Sequence, residues 1–200
     1  MITSLKPLAV AAALFAALPA LAADYVLDPS HSTAQFAVKH MMVSTVRGQF
    51  EKVSGTATID DKDASKSKVS VTIDATTINT REPKRDNHLR SPDFFDVAKY
   101  PNLTFTSTRV ERKGAGYLIT GDLAMHGITK PVTLNAELTT PQKSPFDGKP
   151  VVGVKANGKL SRKEWGLTWN KSLEAGGVLV SDEVELVIDA ELREAPKAVN

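Results

Sequence analysis

Val184-Glu185-Leu186-Val187-Ile188-Asp189-Ala190-Glu191-Leu192-Arg193 alternates apolar and polar residues over ten positions, with Val187 the one interruption on the polar side. A period of two places Val184, Leu186, Ile188, Ala190 and Leu192 on one face of a β-strand and the carboxylates on the other. The same period recurs upstream. Ala34, Phe36 and Val38 alternate with Gln35, Ala37 and Lys39, and Val69, Val71 and Ile73 with Ser70, Thr72 and Asp74. Val132, Leu134, Ala136 and Leu138 alternate with Thr133, Asn135, Glu137 and Thr139, while Val152, Val154 and Ala156 lead towards Leu160. One buried and one wet face per strand is the pattern of antiparallel sheets.

Turn material separates these runs: Asp60 to Asp63, Lys113-Gly114-Ala115-Gly116, Pro145-Phe146-Asp147-Gly148 and Glu174 to Gly177. The count comes to about eight strands without a long helix, and no composition break marks a second domain. An all-β fold follows, either a closed barrel or a sandwich. A barrel abolishes exposed edges, and at about eight strands its interior is filled by side chains or holds one small ligand. Periodicity alone leaves both outcomes open.

Residues 1–22 read as a cleaved secretory signal peptide. Lys6 is the positive n-region, Leu8 to Leu18 the apolar stretch and Ala20-Leu21-Ala22 the cleavage signature. That stretch is shorter than the roughly 20 residues of a membrane span, and no stable span is expected. The mature chain would begin at Ala23, with a domain over 23–195 and a flexible tail over 196–200. The whole sequence has 25 Lys and Arg against 23 Asp and Glu. Loss of Lys6 leaves 24 against 23, a balance that gives nucleic acid no electrostatic reason to bind. With no Cys, disulfides, thiol catalysis, Cys-ligated zinc and iron–sulfur clusters are excluded.

Between Asp86 and Thr108 the alternation breaks. Pro83 and Pro92 suit first helical positions, Ser91 suits a cap, and Pro101 is a stop. Two short helices are predicted, over about 83–90 and 92–98, as an unusually long connection in a β domain. Phe94 and Phe95 would diverge by about 100° on such a helix. Trp165 and Trp169 flank Gly166-Leu167-Thr168 at a spacing that shares one face of a strand.

No G-x-S-x-G, P-loop or G-x-G-x-x-G occurs, and His31, His40, His88 and His126 include no metal-ligand spacing. No cofactor, metal or catalytic residue is assigned. Counting by twos from Phe36 puts His40 on the apolar face at a strand end. It is either a core histidine or a polar group at a cavity mouth. Arg81, Lys84, Arg85, His88 and Arg90, partly offset by Glu82 and Asp86, form either a solvated helix face or an anion clamp.

The run Asp86, His88, Leu89, Arg90, Ser91, Asp93, Phe94, Phe95, Tyr100, Pro101 and Phe105 to Thr108 resembles the hallmark of the YceI family. Gly121 to Leu134 is similar to the family's second motif and Ser161-Arg-Lys-Glu-Trp-Gly166 to its third. Asp28 to Phe36, Lys39-His40 and Gly48-Gln-Phe50 agree as well. The resemblance implies a lipocalin-like, periplasmic, non-catalytic barrel, able to form a homodimer, whose elongated apolar interior binds a long amphiphile. That amphiphile would be a polyisoprenoid such as a prenyl diphosphate or prenyl quinone. On that reading Phe36, Val38, Phe50, Phe94, Phe105 and Leu134 are candidates for the cavity wall, and His40, His88 and Arg90 for the head group. Two rival readings stay open: a hydrolase of a lipid ester or diphosphate, and a stress-response or sequestering protein for hydrophobic compounds.

Overall fold

A computed structural model describes residues 22–174 and 176–196; all of the expected leader but Ala22, and residues 197–200 of the expected tail, lie outside them. Its strands are β1 (Ala23–Leu27), β2 (Thr33–His40), β3 (Ser44–Phe50), β4 (Val53–Ile59), β5 (Lys68–Asp74), β6 (Ile78–Asn79), β7 (Asn102–Lys113), β8 (Gly116–Met125), β9 (Ile128–Leu138), β10 (Gln142–Lys143), β11 (Pro150–Ser161) and β12 (Val180–Glu194). One α-helix, α1 (Pro83–Arg90), lies between β6 and β7.

The sheet is a closed antiparallel barrel. Its order runs β11-β9-β8-β7-β5-β4-β1-β12, and β12 pairs back to β11 from Val151↔Arg193 to Ser161↔Glu183. That ring has eight strands, as the alternating runs predict. Val184–Arg193 lies on the closing strand, which explains why its alternation is so long. On its other side β12 is served by two strands in succession, β2 along Thr33–Val38 and β1 along Tyr25–Leu27.

β1 and β2 behave as one strand interrupted at Asp28–Ser32. Asp28 caps a 3-10 turn over Pro29–His31 by accepting from the Ser30 N–H at 2.9 Å. The interruption stays bonded to β12 through Asp28 N–H to Glu191 O at 2.8 Å and Glu191 N–H to Ser32 Oγ at 3.1 Å. β3 and β4 bend likewise at Glu51-Lys52, where the Thr77 hydroxyl accepts from both backbone amides. Each bend turns a long strand around the barrel without leaving buried amides unpaired.

α1 occupies the predicted span. Glu82 caps it, accepting from Lys84 N–H at 3.1 Å, Pro83 takes the first position, and the Ser91 N–H closes on His88 O. The second predicted helix, over 92–98, is absent. Phe94 and Asp96 both donate to Ser91 O, Val97 donates to Arg90 O, and Asp96 takes a left-handed φ of 45°. These are successive turns. The reason is packing: Phe94 and Phe95 both face the barrel interior, which adjacent residues on a helix, about 100° apart, do poorly. Trp165 and Trp169 likewise share no strand. Trp165 ends a 3-10 turn (Arg162–Trp165), and Gly166 at φ 77° redirects the chain.

Candidate functional site

The alternating apolar faces point inward, and they do not fill the barrel. A cavity of about 720 Å³ remains inside, within the usual range for a site that engulfs one small ligand. Its wall takes Val184, Leu186 and Ile188 from β12, Val69, Val71 and Ile73 from β5, and Val154 and Ala156 from β11. Phe36, Val38, Phe50, Phe94, Phe105 and Leu134, the residues nominated from sequence, all lie on it.

Three of them are held back from the lumen by glycine on a neighbouring strand. A methyl group at Gly48 would stand 2.8 Å from Phe36 Cε1, and one at Gly121 would stand 2.5 Å from Phe105 Cζ. Leu134 lies over Gly158 in the same way, 2.7 Å from such a methyl. Where the neighbouring strand carries no side chain, a large one lies flat along the wall. The cavity is thus kept open by sequence, in a barrel size that side chains could otherwise fill.

Every charged lining residue belongs to one end: His40, Glu82, Lys84, Arg85, His88 and Arg162. His40 closes β2 and pairs with Val180, whose carbonyl accepts from Arg162 Nη2 at 3.4 Å. His88 stands edge-on to Phe94 and Trp169, with ring centroids 5.0 and 4.8 Å away, and its Nε2 meets Asp93 Oδ2 at 2.8 Å. With Nε2 bound to that carboxylate, Nδ1 is the nitrogen left to meet a ligand, as acceptor in the neutral ring and donor in the cation. Arg85 gives Nε and Nη2 to Thr80, through its hydroxyl at 2.8 Å and its carbonyl at 2.9 Å. Its Nη1 has no bond among the described residues.

The third nominated head-group residue sits elsewhere. Arg90 is not on the cavity wall; its guanidinium donates to Thr76 O, Ile78 O and Asn87 Oδ1 and ties α1 to the chain before it. A last-turn arginine two residues after His88 looks the same in sequence whether it faces in or back.

Two residues with no expected contact to a ligand shape the mouth. Asp86 is buried and accepts from Thr80 N–H at 2.8 Å and Thr80 Oγ1 at 2.5 Å, fixing α1 against β6. Arg162 is 4 % exposed and donates to the carbonyls of Leu167, Ser181 and Val180. It thereby pins both ends of the 166–181 segment, which carries Trp169 to the rim. Burial pushes its guanidinium below its ordinary pKa, and the Asp182 carboxylate opposes that shift. Arg162 stands within the Ser161–Gly166 motif, but the role of a buried Arg is set by what surrounds it in space, so the motif does not disclose it.

One acidic group with a histidine lies at the β1–β2 bend, where Asp28, His31 and Glu191 bring ligand atoms within 4.8 Å of one another. Arg193 donates to Asp28 at 2.7 Å and to Glu191 at 3.0 Å. The carboxylates already have their cation, and the group is an ion-pair network of the bend.

The fold and cavity define the class: a hollow, eight-stranded antiparallel barrel with an apolar lumen and a charged mouth. The chain belongs to the YceI-like domain family, whose model matches residues 25–192. It is 42% identical to Protein YceI of Escherichia coli over 190 residues, 94% of this chain and 96% of that one. The YCEI protein of Campylobacter jejuni, a solved structure, superposes with a TM-score of 0.68 at 34% identity, covering 79% of this chain and 90% of that one. A polyisoprenoid binding domain from Saccharophagus degradans superposes with a TM-score of 0.60 at 18% identity, covering 87% of this chain and 99% of that one, a likeness of fold.

Proposed function

We propose that the protein is an exported, periplasmic, non-catalytic carrier that holds the tail of a long amphiphile, most simply a polyisoprenoid, inside the barrel. The observation that carries this reading is the 720 Å³ apolar lumen with all of its charged lining at one end. Such a cavity suits a molecule with a long apolar body and one polar terminus. The binding of a polyisoprenoid by the Saccharophagus degradans domain of the same fold supports the chemical class. The leader-like residues 1–22 support export.

In this mechanism the tail supplies the affinity. Full burial of a prenyl unit contributes up to about 4 kcal/mol at about 0.8 kcal/mol per carbon. A polar contact at the mouth contributes about 1 kcal/mol. Phe36, Val38, Phe50, Phe94, Phe105 and Leu134 would contact the tail. His40, the free nitrogen of His88 and the unspent donors of Arg85 would contact the head group. The His88–Asp93 pair resembles half of a hydrolytic relay. Among the described residues no hydroxyl is hydrogen-bonded to its ring, and the lining Thr80 hydroxyl is taken by Asp86 and Arg85.

Native mass spectrometry of protein purified without detergent tests the reading. The expected spectrum shows one co-purifying amphiphile per chain, displaced by added prenol. A protein that carries nothing and takes up no prenol refutes it.

A further inference from the structure

The hairpin between β2 and β3 is built against local preference. The His40 carbonyl accepts from Val43 N–H at 3.1 Å, and the two central residues, Met41 and Met42, have φ of 51° and 63°. Positive φ at both positions is the signature of a turn that favours Asn-Gly. Here two methionines accept the left-handed strain. They also expose apolar surface: Met41 is 44%, Met42 67% and Val43 82% exposed. The other large exposed apolar residues, Val26, Phe146 and Val187, stand singly elsewhere, as is ordinary.

The tip adjoins the mouth. His40, just before it, lines the cavity, and Met41 N–H donates at 2.8 Å to the carbonyl of Leu179, another lining residue. The exposed apolar tip therefore stands directly beside the lining residues His40 and Leu179. Around it stand Lys39, Arg47, Lys84 and Lys171, all exposed, none in an ion pair among the described residues. The acids on this rim are Glu82 and Glu174, with Asp93 held on His88 and Asp182 already paired with Arg162 and Lys163.

We propose that Met41-Met42-Val43 docks the cavity mouth onto an anionic phospholipid surface, so that the amphiphile passes between bilayer and lumen along apolar surface. This rests on the carrier reading and adds to it the place of exchange. Unbranched methionines are adaptable apolar anchors, and lysines around them keep their ammonium groups at the head groups. Basic residues beside a shallow apolar insertion are what anionic lipid attracts. A second copy of the chain is the poorer occupant, since docking tip to tip would bring two sets of unpaired cations together.

The test is flotation with vesicles of phosphatidylglycerol and phosphatidylethanolamine, beside vesicles of phosphatidylcholine alone. The native protein should float with the anionic vesicles, less so at high salt. Met42→Asp/Val43→Asp should cut partitioning at least about tenfold, less than the burial of one apolar side chain is worth. Met41→Asn/Met42→Gly should also cut it while raising Tm, because it relieves the turn; a merely structural tip would raise Tm and leave flotation unchanged. Both variants should keep the native affinity for free prenol. Variants that float like the native protein overturn the proposal. So does a native protein that ignores vesicles but forms a dimer the variants dissociate. If no prenyl lipid is carried yet flotation still depends on the tip, the carrier reading falls and the docking surface stands.

Discussion

Gly48→Ala is the sharpest probe of how the lumen is held open. The added methyl would lie 2.7 Å from Thr80 Cγ2 and 2.8 Å from Phe36 Cε1, with Phe36 Cζ closer still. Thr80 cannot retreat easily, because Asp86 holds its amide and hydroxyl. The Phe36 ring can, since its far side is open lumen. Its tip has to swing by about 1 Å or a little more, away from the wall and into the space a ligand would use. Overpacking of this kind costs about 1–3 kcal/mol, and Gly→Ala returns about 0.4–1 kcal/mol by restricting the unfolded chain. The net loss of stability is then about 1 kcal/mol, read from a urea titration. The loss of prenol affinity should be larger in proportion, roughly 5- to 30-fold by calorimetry, because the displaced ring removes both volume and contact.

The double variant Phe36→Leu/Gly48→Ala closes the cycle. Leucine has no ring tip to collide with the methyl, so both penalties should shrink relative to Phe36→Leu alone. Prenol binding by Gly48→Ala equal to that of the native protein would refute the idea that the glycine keeps Phe36 against the wall. An identical penalty in the Phe36→Leu background would refute it too, and would move the cause to Thr80.

Other consequences follow from the bonding around the lumen. Gly121→Ala meets Thr106 O at 2.6 Å as well as Phe105, and backbone cannot swing aside, so its unfolding free energy from a urea titration should fall further than that of Gly48→Ala, by about 3 kcal/mol in all. Arg162→Met leaves the Leu167 and Ser181 carbonyls without their donor, costs about 3 kcal/mol, and should speed hydrogen exchange across 166–181 before the barrel strands. Asp28 is held down to about 2, from an ordinary 3.8, first by the hydrogen bond from His31 and then by the Ser30 N–H. A depressed carboxyl stabilises the fold fully above its unfolded value. That contribution drains away as pH falls from 3.8 to about 2. Water at this surface trims it to about 1 kcal/mol, and Asp28→Asn should flatten the acid limb of a stability–pH curve by that amount.

Strand faces are legible in this sequence because each lumen-facing residue is one of a long series with period two. The wall residues from β5, β9, β11 and β12 follow directly from that series. Whether the barrel is hollow is not legible the same way. It depends on pairs such as Phe36 over Gly48 and Phe105 beside Gly121, whose members meet across strands. A glycine inside a strand signals a close approach, without naming what approaches. The mouth is harder still. Arg90 and Arg85 are five residues apart on one short helix, yet only Arg85 reaches the cavity. The second helix fails because Phe94 and Phe95 both belong to the lumen, a tertiary demand that overrides good local signals at Ser91, Pro92 and Asp93.

The block from Asp86 to Thr108 has its place because the ladder is incomplete there. β3 pairs with β6 only at Gln49 and Phe50, and β7 begins its pairing with β5 at Asn102. Beyond those residues β3 has no strand on its free side among the described residues as far as the Met41–Val43 tip. Glu82, Lys84, Arg85, His88 and Leu89 of the α1 region, with Phe94 and Phe95, line the cavity along that gap. A helix closes its own hydrogen bonds, so it can wall a cavity without being laced to the strand beside it. What holds it is a short list of side-chain bonds: Asp86 to Thr80, Arg85 to Thr80, and Arg90 to the carbonyls of Thr76 and Ile78. This wall can therefore yield while the β11–β12 closure stays intact. Amides of α1 should exchange faster than those of β12, and Asp86→Asn should widen the difference while leaving β12 protected. Equal protection of α1 and β12 in the native protein would show that the helix is as fixed as the strands, and that ligand enters through the mouth alone.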